Sequence, residues 1–334
     1  MKNPPAMDHT LALIPAHAAG APTPEVSAPP QVLSLPSAAQ PWRYAWVYGR
    51  AVVASRWGPH RLWPERSRHY SAPVQIGARL ARRWRALFDV PARATCAVPL
   101  LANQSVGTLM QARLFADLGL NLRHVQHLQH RTVHHASVAA CAKARDQRLS
   151  CQLQRVLRLG EDRVLVQLQT QAAAADGSPL STVEDGFIVD GLPAADLAGL
   201  HSDRALLLEL LGLRRRLPRL SSTAGEALVS EMPVPGDMGR AYGRVSGDLG
   251  PEHLGSLGAW LCGLKRPCLQ GLALRNLVVR HLAELGQPLQ QLSLTFAGPA
   301  YLGEPLLLVV DGMSLEVHGA KGRLVAFGCC AAPA

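Results

Sequence analysis

The chain has 334 residues, 48% hydrophobic and 5% aromatic, with a formal net charge of +10. That size supports about two packed cores, and no apolar stretch reaches the ~18 residues of a membrane helix, which argues against membrane insertion. The surplus arginines are scattered and lack the aromatic interleaving of nucleic-acid modules, so nucleic acid is not the expected partner; a solvated surface and a field attracting an anionic ligand or acidic protein both account for them.

Residues 1–40 are rich in Pro and Ala and carry no period that could bury a face, so a disordered tail is expected there. Lys2 is followed by Pro4, Pro5 and Pro15 rather than an apolar export core, so no signal peptide is expected and the cytoplasm is the default location. An N-terminal half is expected over 41–196. It opens with Trp42, Tyr44, Trp46 and Tyr48, whose period of two marks a half-buried strand. A basic helix over 74–88 places Ile76, Leu80, Trp84 and Leu87 on one face and arginines on the other.

A loop from Pro99 leads into an apolar helix carrying Val106, Leu109, Met110, Leu114, Phe115 and Leu118, and Gly119 ends it. Strand-like runs follow at 124–132, 136–145, 152–159 and 163–171, the pattern of an antiparallel meander. His124, His127, His130, His134 and His135 invite a metal reading. In a strand, however, a spacing of three puts side chains on opposite faces, and no acidic or cysteine ligand lies nearby in sequence. They read as strand-surface histidines.

A linker helix is expected over 197–225. The second half, 226–334, reads as a strand at 228–234, a helix at 235–246, a tight loop at 247–251 and an apolar helix at 269–285. Strands then follow at 289–296, 305–313, 314–318 and 324–329. Both halves therefore wrap an antiparallel sheet around one long helix, an α+β arrangement used twice. Cys96, Cys141, Cys151, Cys262, Cys268, Cys329 and Cys330 show no C-x-x-C pair or metal-ligand spacing and read as reduced core residues.

The stretch richest in chemistry is Tyr242-Gly-Arg-Val-Ser246-Gly-Asp248-Leu-Gly250-Pro-Glu252-His253, followed by Lys265-Arg266-Pro-Cys-Leu-Gln270-Gly271. A carboxylate and an imidazole separated by a Gly/Pro loop can converge on one water. These residue types suit reversible addition of water across a polarised C=C bond, which needs a base, an acid and a donor for the enolate oxygen. Gly271 lies at a helix start, where free N–H groups and the dipole favour negative charge. The plain alternative is that Asp248 caps a helix and His253 packs in a loop; the residues around them favour the catalytic reading.

Those residues resemble the motif of the MaoC-like (R)-specific enoyl-CoA hydratases and 3-hydroxyacyl dehydratases, Tyr-x-x-x-Ser-Gly-Asp-x-Asn-Pro-Ile-His followed by Arg-Pro-Ile-x-His-Gly-Met. Tyr242, Ser246, Gly247, Asp248, Pro251 and His253 fall at the family spacing, as do Arg266, Pro267 and Gly271. The run 296–304 resembles the family's return strand and turn. The N-terminal half, around Val98 and Pro99, more weakly resembles the degenerate first repeat of two-hot-dog members and lacks an Asp-x-x-x-x-His pair.

The resemblance implies a double hot-dog fold, two antiparallel sheets each wrapped around a long central helix. It also implies a hydro-lyase of fatty acid metabolism acting on trans-2-enoyl and (R)-3-hydroxyacyl thioesters of CoA or acyl carrier protein. By resemblance Asp248 and His253 are the catalytic pair and the Gly271 amide is the oxyanion donor, with Gln270, Gly250 and Ser246 around the substrate. Lys265 and Arg266 would meet carrier phosphates or simply be solvated, and Val106, Leu109, Met110 and Leu114 would line the acyl pocket or be core. No metal or redox cofactor is implied beyond the CoA or phosphopantetheine thioester itself, and a homodimer is compatible with the pattern.

Three positions depart from the motif: Gly250 replaces Asn, Gln270 replaces His and Glu252 replaces an apolar residue. They keep open a slow or specialised enzyme, or a non-catalytic acyl-thioester-binding or assembly protein. A thioesterase on the same fold is disfavoured by the Asp-x-x-x-x-His spacing.

Overall fold

The computed structural model describes residues 31–32, 69–75, 78–88, 104–137, 140, 144, 146–202, 227–287 and 289–331. The expected strand at Trp42–Tyr48, the tail apart from 31–32, and most of the expected linker helix, 203–226, lie outside the described residues. The weak resemblance around Val98 and Pro99 lies outside them too.

In chain order the elements are β1 (Gln31–Val32), β2 (His69–Gln75), α1 (Ala78–Leu87), α2 (Gln104–Asp117), β3 (Val125–His134), β4 (Asp146–Arg158), β5 (Val164–Ala174) and β6 (Pro179–Val189). The second half contains β7 (Leu228–Met232), α3 (Met238–Ser246), α4 (Pro251–Leu254), α5 (Ser256–Leu261), α6 (Gly271–Glu284), β8 (Gln291–Phe296), β9 (Leu306–Asp311), β10 (Ser314–Gly319) and β11 (Arg323–Ala331). The strands join in the order β1-β2-β4-β5-β6-β3-β8-β11-β10-β9-β7.

Apart from β1, the order is the same permutation in both halves. Outward from the centre it runs β3, β6, β5, β4, β2 on one side and β8, β11, β10, β9, β7 on the other. In each half the buried helix, α2 or α6, connects the first strand to the second. The expectation of one fold unit used twice is met in this topology.

The expectation of two separate sheets is not. β3 and β8, the second strand of each half, pair antiparallel from Gln129 opposite Thr295 to Val133 opposite Gln291. Left apart, each would expose a row of unpaired backbone N–H and C=O groups; pairing removes both edges and fuses the halves into one eleven-stranded sheet. A large antiparallel sheet with one apolar helix per half fits a hot-dog arrangement.

The two long helices have no segregated polar face that could be turned to solvent, and both are largely buried. On α2, Val106, Leu109, Met110, Leu114 and Phe115 are buried, and on α6 every residue from 273 to 279 is buried, Arg275 and Asn276 included. The basic helix starts at Ala78 rather than at residue 74, because Val74 and Gln75 belong to β2; on α1 Arg79, Arg82 and Arg83 are exposed, while Trp84 and the adjoining Phe88 are buried edge-on against Tyr242 of α3. The expected meander is corrected. The run 136–145 contributes no described strand, β6 was not anticipated, and β3 pairs with β6 and β8 rather than β4. Among the described residues no helix is long and apolar enough to cross a membrane.

Candidate active site

The site grows from the end of α3. Gly247 adopts a left-handed conformation (φ 83°) that terminates the helix, a region open to glycine at little cost. Buried Ser246 fixes the exit: its hydroxyl donates to the Tyr242 carbonyl (2.9 Å) and accepts the Asp248 N–H (3.1 Å). Gly239 and Gly243, one turn apart on α3, let the following loop lie against the helix. A Cβ at Gly239 would fall 2.2 Å from the His253 carbonyl oxygen, and one at Gly243 2.8 Å from that of Asp248. The amide of Gln270 donates to the carbonyls of Gly239 (3.0 Å) and Asp248 (3.2 Å), tying loop and helix to the start of α6.

Pro251 opens α4, where a missing N–H is tolerated, and His253 follows two residues later. His253 Nδ1 donates to the Cys268 carbonyl (2.8 Å), which leaves Nε2 facing Glu252 Oε1 at 3.4 Å. Burial disfavours charge on this imidazole, but the hydrogen bond between Nδ1 and the Cys268 side chain (3.6 Å to Sγ), followed by the influence of Asp248, Cys268 and Glu252, outweighs it and raises its pKa to about 10. The segment carrying Cys268 is itself strapped down: Cys268 N–H donates to the Glu252 carbonyl (3.2 Å), Leu269 N–H to Ala300 (2.7 Å) and Leu302 N–H to Pro267 (3.0 Å).

Asp248, Gly250, His253 and Gly271 all border one cavity of about 520 Å³. Its opposite wall belongs to the N-terminal half, with Gln111 of α2, His127 of β3 and Phe187 of β6. The structure thus brings the expected catalytic pair and the start of α6 to one space between the halves.

Three expected placements change, those of Ser246, Gln270 and Arg266, while Lys265 and the apolar residues of α2 take the plainer of the two roles open to them. Ser246 and Gln270 stand behind the loop as buried anchors, not against substrate space. Arg266 is engaged elsewhere: it pairs with Glu304, a buried carboxylate that also binds Arg323 at 3.0 Å, and lies over the Tyr301 ring at 4.6 Å. Lys265 is exposed. From α2 the cavity is lined by Thr108, Gln111, Ala112 and Phe115, while Val106, Leu109, Met110 and Leu114 point to the core.

Sequence reasoning also missed residues. His127 and His130 are not on opposite faces, because a β-bulge between His127 and Gln129 inserts one residue and reverses the alternation. Their partners on β6, Phe187 and Asp185, are two residues apart and so share a face. Asp185 accepts hydrogen bonds from His127 Nε2 (2.9 Å), His130 Nδ1 (2.7 Å) and the Gln111 amide (2.6 Å). Burial alone would raise the Asp185 carboxyl's pKa, but the adjoining His130 and the hydrogen bonds from both histidines hold it well below the carboxylate range, even though burial lowers the pKa of His130 itself. No local spacing signals such a bulge. Glu252, noted in sequence only as a departure, lines the cavity as a second carboxylate beside His253.

No family model matches the chain, and no curated protein matches it in sequence. Solved structures do match: a MaoC-like dehydratase (14% identity, 79% of this chain and 98% of the other, TM-score 0.58) and one from Phytophthora capsici (15%, 82% and 99%, 0.55). The peroxisomal multifunctional enzyme type 2 of Drosophila melanogaster also matches (16%, 78% and 48%, TM-score 0.56), so this chain spans about half the length of that enzyme. The chain has the fold of the MaoC-like dehydratases.

Proposed function

We propose that the protein is a hydro-lyase that adds water reversibly to trans-2-enoyl thioesters and removes it from (R)-3-hydroxyacyl thioesters of CoA or acyl carrier protein. The observation that carries this reading is the convergence of Asp248, His253 and the N-terminal residue of α6, Gly271, on one cavity. In the hydration direction Asp248 takes a proton from water as its oxygen adds to C3. With its pKa raised to about 10, His253 is cationic at neutral pH and is the acid on the same wall. The Gly271 N–H, unpaired within the helix as a first-turn donor, meets the enolate oxygen.

The mixed polar and apolar walls fit an acyl chain entering between Phe115, Phe187 and Phe296 with its thioester toward α6. Exposed Lys265 remains the candidate for carrier phosphates, and the chemistry requires no metal or redox cofactor. The test is hydration of crotonyl-CoA and longer enoyl-CoAs, followed by loss of the enoyl absorbance. Asp248→Asn and His253→Ala are each expected to slow it by about 10²–10⁴-fold. Equal rates in all three proteins, or no turnover of any chain length, would favour the non-catalytic acyl-thioester binder instead.

A further inference from the structure

The wall opposite Asp248 and His253 carries an imidazole with a partnership of its own. His127 is fixed on three sides: it stacks on Phe187 (centroids 4.6 Å apart, planes at 20°), lies against Phe296 (4.8 Å), and its Nε2 binds Asp185 Oδ1 at 2.9 Å. With Asp185 ionised, Nε2 carries the hydrogen, so the lone pair of the neutral ring is on Nδ1. That atom faces the start of α6, 3.0 Å from where a Cβ on Gly271 would stand. Behind it a chain of donors sets the polarity: buried Arg275 donates to the Thr132 hydroxyl (3.3 Å), which meets His130 Nε2 (2.7 Å), whose Nδ1 donates to Asp185.

Resting on the function proposed above, we infer that His127, held by Asp185, is a further catalytic residue that exchanges the C2 proton of the thioester, leaving Asp248 and His253 to handle the water. A carbonyl oxygen bound at the Gly271 N–H places the adjoining C2 beside His127 Nδ1. His253 is less well placed for C2, since Nδ1 is committed to the Cys268 carbonyl and Nε2 faces Glu252.

In dehydration the C2–H bond breaks and its proton goes to His127 Nδ1 while the electron pair enters the enolate. The C3–O bond then breaks as the departing hydroxyl takes a proton from the Asp248–His253 pair, giving water and the C=C bond. Return of a proton from His127 to that pair through solvent closes the cycle, and hydration is the reverse, with Asp248 taking the water proton and His127 delivering its proton to C2. The donor atoms of His127, His130 and Asp185 lie within 4.8 Å of one another, a spacing that would also suit a metal ion. Asp185 already accepts from His127, His130 and Gln111, and buried Arg275 lies near enough to act on its charge, so a divalent cation would add to positive charge already present.

The full chain can be tested with two readouts: hydration of an enoyl-CoA, and exchange of the C2 protons of butyryl-CoA in D₂O, which involves no water addition. Wild type is expected to show both, Asp248→Asn to lose hydration but keep exchange, and His127→Gln to lose both by at least about 100-fold. Imidazole in solution should restore part of the exchange to His127→Ala, a readout that a packing role would not move. Asp185→Asn, which removes the carboxylate that holds the hydrogen on Nε2, should lower exchange while leaving part of it. Hydration in wild type with exchange unaffected in His127→Gln overturns the inference and leaves the function standing. Exchange without hydration does the reverse, and neither activity in wild type sinks both. Stoichiometric zinc in the purified protein, lost in His130→Ala, would make the cluster a metal site and also overturn it.

Discussion

The Glu252 carboxylate occupies the space in front of Gly250: a Cβ at residue 250 would lie 2.8 Å from Oε1, the same oxygen that stands 3.4 Å from His253 Nε2. The two departures from the hydratase motif on this loop are therefore one arrangement, in which a missing side chain makes room for a charged one.

Gly250→Ala is expected to push Glu252 away from His253. Because the displaced atoms are the end of a flexible side chain, stability should change by less than about 1 kcal/mol. The pKa of His253, followed by its ring proton shifts, should fall. An unchanged His253 titration would show that Glu252 does not act on it.

His253 also makes stability depend on pH. Its pKa rises from the ordinary 6.5 to about 10 on folding, so its stabilisation is complete below pH 6.5 and is lost as pH climbs through about 10. Urea midpoints should decline across that window in wild type and stay flatter in His253→Gln. The basic limb of hydration should fall in the same range.

Gln270→Ala should be destabilised by about 1–3 kcal/mol, since it removes the donor to two buried carbonyls, those of Gly239 and Asp248. Gln270→His, which restores the family residue, should recover only part of this. A neutral imidazole has one N–H where the amide has two. Chemical denaturation of both variants checks the order.

Arg275→Met removes a buried guanidinium that donates to Asn276 and to the Thr132 hydroxyl behind His130, and should cost about 1–3 kcal/mol. Adding Asp185→Asn to the same chain should return a measurable part of that loss, read as a coupling energy in a double-mutant cycle. Additive losses would mean that the two charges do not interact.

The C-terminal half was legible because its signals are local. Tyr242 to His253 and Lys265 to Gly271 carry the loop, the helix start and the candidate pair within short contiguous runs, and the strands after α6 alternate cleanly. β3 was legible as a strand, but the faces of its histidines were not, since one inserted residue near Leu128 reverses them without altering composition. Arg266 was misassigned for a related reason: its partner Glu304 is 38 positions away, joined to it only by folding.

The amino-acid order alone determined that a fold unit is used twice and that Asp248 and His253 share a turn ahead of a buried helix, because periodicity and short spacings are properties of neighbouring residues. Only the tertiary structure decided that the two sheets are one, that Glu252 fills the space at Gly250, and that His127 with Asp185 faces Gly271 across the cavity. Those relationships depend on strand register and on which edges pair, and both are set by burial and backbone hydrogen bonding between segments far apart in the chain.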